Sequence, residues 1–182
     1  PPVRCITGLR GGRRTISVMG NRGLIGACLV WILVLGGATY ERASIWASDL
    51  ALWTDATRQS PQKPRPFINL GLAREQAGDW PGAIRAQQAA LALSFQPRLS
   101  QYQQKFSRIA SETNIARILA LTGQEEAALR ILNDVIARHP LFPHSRYNRA
   151  VLYARTGRCA QGDADGRLAM LLDPDLRWPG CS

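Results

Sequence analysis

NIARILALTGQEEAALRILNDVIARHP (Asn114–Pro140) is followed by NRAVLYARTGRCAQGDADGRLAMLLDP (Asn148–Pro174), and the two stretches keep step. Asn114 and Asn148, Gly123 and Gly157, and Pro140 and Pro174 are each 34 residues apart. Three residue types sharing one interval mark an internal repeat, and this interval is that of a helix–turn–helix array. Each unit of such an array buries its apolar face only against its neighbours. The architecture supplies a surface rather than a reaction centre, so the expected activity is binding.

Upstream, Phe67-Ile-Asn-Leu-Gly-Leu-Ala, Gly78-Asp-Trp, Ala83-Ile and Ala90-Leu-Ala-Leu form an earlier unit of the same kind. Together with Asn114-Ile-Ala, Ala128-Leu, Asn148-Arg-Ala and Tyr153, these residues resemble the tetratricopeptide repeat (TPR) pattern. The positions also have local reasons. Gly71 and Ala83 are small where two antiparallel helices must approach, and Gly78 suits a left-handed helix end. Leu70, Ile84 and Leu91 fall on the face where paired helices meet. In the third unit Gly162 replaces the expected alanine and Gly166 follows. Each glycine costs about 1 kcal/mol relative to alanine inside a helix, which predicts a weak last helix. The expected fold is all-α: a TPR-type helix–turn–helix solenoid preceded by a single transmembrane helix.

Between the first and second units the interval stretches to 45 residues (Gly78 to Gly123), an excess of 11 near residues 96–107. Leu99, Tyr102, Phe106, Ile109, Thr113 and Ala116 recur there at three- and four-residue steps, which predicts one long helix from about Ser100 to Leu121. The regular apolar stripe favours extra turns packed on the first unit. The alternative is a projecting arm with a partner of its own.

The composition changes before the repeats. Residues 1–22 form a basic tail with Arg4, Arg10, Arg13, Arg14 and Arg22, and no acidic residue precedes Glu41. Residues 23–40 (GLIGACLVWILVLGGATY) carry no charge and span about 27 Å as a helix, enough for a hydrocarbon core. A cleaved signal peptide competes with a retained span, and Gly36-Gly37-Ala38 offers a small-residue cleavage site. The length of the apolar run favours retention. Residues 41–61 then read as a half-repeat capping helix ended by Pro61, with Trp46 and Trp53 covering the first complete unit. Three units fill residues 62–174, and residues 175–182 are a C-terminal tail.

The net charge of +10 is shared between the five tail arginines and the rest of the chain. By the positive-inside rule the N-terminus lies in the cytoplasm and the repeats are extracytoplasmic, periplasmic in a bacterium. The repeat arginines are interspersed with acids, so nucleic acid is not an expected partner. Cys5 and Cys28 precede or lie within the apolar run, whereas an oxidising compartment would let Cys159 and Cys181 pair.

Catalytic patterns are scarce. His139 and His144 flank a proline turn without metal-ligand spacing. Asp163, Asp165, Asp173 and Asp175 lack the spacing of a calcium loop, and no phosphate-cradling loop, GxSxG elbow or HExxH occurs. No catalytic residue, cofactor site or metal site is expected. The candidate site is instead the concave face lined by first helices: Arg65, Ile68, Leu72 and Gln76; Thr113, Arg117 and Leu121; His144, Tyr147, Val151 and Arg155. Apolar residues mixed with Arg65, Arg117 and Arg155 suit an extended peptide carrying acidic or carboxylate groups. Ile68 and Leu72 stand where carboxylate-clamping TPR domains use Lys or Asn, so that clamp is not expected.

Glu41 to Pro61 (E-x-x-x-x-W…LW…A…P), following a membrane helix and preceding an N-L-G repeat, resembles the C-terminal part of transmembrane-and-TPR O-mannosyltransferase-like proteins. The resemblance covers roughly residues 20–95. The chain begins Pro1-Pro2 without methionine, consistent with a piece of a longer product. It implies an alternative, the accessory end of a GT-C-type glycosyltransferase whose catalytic part lies upstream. A scaffold binding a peptide or protein partner is the principal expectation.

Overall fold

Prolines and acidic or hydroxyl caps place several of the helix starts, and glycines in left-handed conformation place the turns within helix pairs. The computed structural model describes residues 18–181, so most of the basic tail lies outside the described residues. The chain divides into two units at Ser44 and Ile45.

The first unit holds α1, Val18–Ser44. Its Leu24, Leu29, Trp31 and Leu33 are all exposed. The stretch Gly23–Ala47 contains an 18-residue window of mean hydropathy 1.9 and is, by length and composition, apolar enough to cross a bilayer; a signal sequence passes the same test. Thr39 returns its hydroxyl to the Leu35 carbonyl at 2.7 Å, which satisfies it without solvent.

The second unit begins with a 3-10 turn, Ile45–Ala47, and α2, Asp49–Gln59. Ser48 caps α2 by accepting from the Ala51 N–H. Three helix pairs follow: α3 Pro64–Gln76 with α4 Trp80–Leu93, α5 Gln101–Leu121 with α6 Glu125–Arg138, and α7 Pro143–Arg155 with α8 Cys159–Leu172. Prolines open α3 and α7, where the missing N–H has no partner to lose.

One turn joins the helices of every pair. Gly78, Gly123 and Gly157 take φ of 77°, 82° and 74°, the left-handed region glycine enters without penalty. One residue later a backbone N–H reaches back five residues: Asp79 to the Arg74 carbonyl, Gln124 to Leu119, Arg158 to Tyr153. This closure satisfies carbonyls that each first helix would otherwise leave bare.

Alanines fill the crossings between helices. Ala83, Ala90, Ala116, Ala128, Ala150 and Ala169 are all 0 % exposed. Gly71 lets α3 approach α4 so closely that a Cβ there would lie 2.4 Å from the Gln87 amide nitrogen. That amide is fully buried and donates to the Ile68 carbonyl at 3.0 Å. Leu132 and Leu152 join Ala116, Ala120 and Ala128 in a core linking the second and third pairs.

The long helix forms as its periodicity indicates. A capping box starts α5, with Ser100 and Gln103 bonding each other's backbone N–H groups. Arg98 donates to the Gln62 carbonyl at 3.0 Å, tying the segment that leads into α5 to the one that leads into α3.

The last helix, expected to be weak, is formed over its full length. It runs 14 residues, as α4 and α6 do. Its glycines form a seat: the Trp178 ring lies so close to Gly166 that a Cβ would meet it at 2.4 Å. The indole N–H donates to Asp163 at 2.8 Å, and the Cys181 N–H donates to the same carboxylate oxygen at 3.0 Å. Cys159 and Cys181 are joined as a disulfide with Cα atoms 5.2 Å apart.

Candidate functional site

The first helices α3, α5 and α7 stand side by side and enclose an open cleft of about 1350 Å³. Of the residues expected on this face, Arg65, Ile68, Leu72, Thr113, Arg117 and His144 line it. Ile68 and Thr113 do so from beneath, at 7 % and 3 % exposure. The Thr113 hydroxyl shares a 2.9 Å hydrogen bond with Ser145, a buried pairing between α5 and α7. These two residues shape the floor, and neither presents a side chain to a visitor.

Gln76, Leu121, Tyr147, Val151 and Arg155 lie outside the cleft lining. Tyr147 faces the returning tail, packing edge-on to Trp178 at 6.2 Å and donating its hydroxyl to the Arg177 carbonyl. Arg155 donates to the Ala120 carbonyl at 3.2 Å, which uses one arm of its guanidinium on the fold itself.

Arg117 is likewise engaged, in an ion pair with Glu75. Glu75 is only 9 % exposed. Burial raises its pKa above the ordinary carboxylate value, against the opposing pull of the Arg117 charge and hydrogen bond. Its Oε2 has no hydrogen-bond partner among the described residues. The pair spans 42 residues and pins α3 to α5. Of the three arginines expected to attract an acidic partner, Arg65 alone has no ion pair or hydrogen bond at its guanidinium among the described residues.

The early turns of α5 contribute what the periodic reading leaves unassigned. Leu99, Tyr102 and Phe106 line the cleft, and Tyr102 is 76 % exposed and Phe106 47 %. Tyr102 stacks on Phe106 at 6.2 Å, Phe106 meets Phe142 edge-on at 6.5 Å, and Phe142 meets His144 at 5.6 Å. This aromatic series crosses from α5 to the start of α7. Its signal in the sequence is the four-residue step from Tyr102 to Phe106 inside the extension, beside Phe142 in the next proline turn.

Among the described residues, no three of His, Cys, Asp and Glu gather in a metal-holding arrangement. The His139 pKa is lowered, first by burial and then by Lys105, Arg138 and Arg108.

No protein-family model matches the chain, and no curated protein matches it. Solved structures similar to it include the MamA RS-1 ArsTM double mutant, at 20% identity over 80% of this chain and 75% of that one, with a TM-score of 0.46. MamA 41-end from Desulfovibrio magneticus RS-1 is 22% identical over 70% of this chain and 66% of that one, with a TM-score of 0.45. YrrB, described as a TPR protein with an unusual peptide-binding site, is 15% identical over 79% and 82%, with a TM-score of 0.35. All three likenesses are distant and leave the partner open.

Proposed function

We propose that this chain is a membrane-anchored scaffold that receives an extended segment of a partner protein in the cleft of α3, α5 and α7. The observation that carries the reading is the cleft itself. It is continuous, about 1350 Å³ in volume, and walled by exposed aromatic rings in register. Exposed apolar surface of this kind, rimmed by polar groups, is typical of interaction sites. The proposed role is binding and involves no catalytic step.

The anchoring part of the reading rests on other features. The apolar stretch Gly23–Ala47 is long enough to span a bilayer. Five arginines precede it, which favours a cytoplasmic N-terminus and repeats on the opposite side. The Cys159–Cys181 disulfide suits an oxidising compartment on that side.

A photo-reactive benzoylphenylalanine in place of Tyr102, on the cleft wall, tests the binding face against the same group at Arg130, exposed on α6. Cross-links to a discrete partner from position 102 and none from position 130 are expected. Equal cross-linking from both, or cross-links from the outer position alone, would remove the cleft from the account. Alkaline extraction and the mass of the N-terminal peptide test the anchor; a mature chain beginning beyond Ala38 would show a cleaved leader.

A further inference from the structure

Tyr102 and Phe106 stand in water and so forgo the gain that burial would bring. Their rings nevertheless stack on each other and continue edge-on through Phe142. Such a preformed wall takes a further ring or a large aliphatic side chain with little loss of conformational freedom.

The charge lining the cleft has one sign. Lys63, Arg65 and Arg117 line it, and among the described residues no Asp or Glu does. Arg117 is neutralised by Glu75. The side-chain ends of Lys63 and Arg65 make no hydrogen bond or ion pair among the described residues. Both open α3, and the Arg98–Gln62 bonds draw that end of α3 to the start of α5, where Tyr102 stands. Uncompensated cations thus border the aromatic wall, an arrangement complementary to a carboxylate-rich chain.

Resting on the cleft as the binding face, we propose that its occupant is an acidic peptide segment bearing one aromatic or large aliphatic side chain. That side chain seats against Tyr102, Phe106 and Phe142, and flanking carboxylates lie beside Lys63 and Arg65. The 11-residue extension is then what gives this array its selectivity, because it supplies the wall.

The test uses the full chain in detergent and a fluorescein-labelled peptide alternating glutamate and glycine about one central phenylalanine. Anisotropy should report binding that weakens as salt rises. Replacing the probe's phenylalanine by alanine should weaken it about tenfold, roughly 1.4 kcal/mol, without altering the protein. Tyr102→Ala with Phe106→Ala should erase the difference between the two probes. Lys63→Glu with Arg65→Glu should weaken both about equally. No binding of the phenylalanine probe, or equal affinity for the two probes, overturns the proposed occupant. If both probes bind equally, a loss of both on Leu72→Glu would show that the cleft reading survives while the occupant is wrong. Binding that ignores every cleft variant would overturn both.

Discussion

Replacing Gly166 by alanine should destabilise the repeat region, although the same change in an open helix stabilises. At an unhindered interior position alanine gains about 1 kcal/mol over glycine. At Gly166 the new Cβ would lie 2.4 Å from two atoms of the Trp178 ring and 2.6 Å from a third. Carbon atoms rest at about 3.5–4.0 Å, so the indole must retreat by more than about 1 Å. It cannot swing clear, because Cys181 holds the tail to Cys159. Retreat breaks the indole bond to Asp163 and opens the edge contact with Tyr147. Overpacking against a tethered ring costs about 2–3 kcal/mol; less the helix gain, the net loss is about 1–2 kcal/mol. Calorimetry of the full chain in detergent should show a Tm lower by roughly 3–6 °C. Trypsin should also cut faster at Arg177, beside the displaced ring. In a Trp178→Ala background the obstruction is gone, so Gly166→Ala should become stabilising. An unchanged or raised Tm in the parent chain, with the same sign in both backgrounds, would show that Trp178 does not occupy this seat.

Other expectations concern single interactions. Thr113→Val strands the buried Ser145 hydroxyl and should cost about 1–3 kcal/mol by urea midpoint, while adding Ser145→Ala should recover most of it; no recovery would deny the 2.9 Å bond its importance. Arg117→Met leaves Glu75 buried and unpaired. The loss should be about 2 kcal/mol at neutral pH, below the range for a fully buried pair because Arg117 is partly exposed. Glu75 already has a raised pKa, so its protonated form is the better tolerated in the fold. The variant should therefore approach the parent as pH falls and separate from it as pH rises through the carboxylate range; parallel stability curves would contradict this. The Trp178 and Cys181 N–H groups hold the Asp163 pKa below its ordinary value, with Trp178 the larger influence. Its contribution is present at neutral pH and should be lost as pH falls through its lowered pKa, read as a fall in urea midpoint on acidification that is smaller in Asp163→Asn. Reducing the Cys159–Cys181 link, which closes a 22-residue separation, should cost about 3 kcal/mol in the chain-entropy account; two free thiols in non-reducing mass mapping would exclude it.

The repeat was legible because its signals are local. Gly123 and Gly157 recur at the period because each turn needs a left-handed residue, and a turn residue can be recognised without its partners. The start of α5 was legible for the same reason, since Ser100 and Gln103 lie three residues apart. Periodicity places Tyr102 and Phe106 on one face, but it does not say whether another helix covers that face. Their exposure therefore had to be seen. Arg117 reads as a groove cation until Glu75, 42 residues away, is brought beside it. Gly162 and Gly166 read as weakening the last helix because propensity is a property of the isolated segment. A tryptophan twelve residues beyond Gly166 makes the missing side chain useful.

The length of α5 also bears on how this array unfolds. At 21 residues against 13 for α3 and α7, it belongs to two neighbourhoods at once. The segment leading into it is tied to the first pair by Arg98 and Gln62, its Arg117 is paired with Glu75 of α3, and its late turns carry the core shared with α6. A stack of equal units can fray one unit at a time from either end. Here the first two pairs share a single rigid rod, so neither can open without disturbing the other. They should exchange their amide hydrogens as one cooperative block. The smallest fragment expected to hold its shape then runs from α3 through α6, twice the size the period alone would suggest.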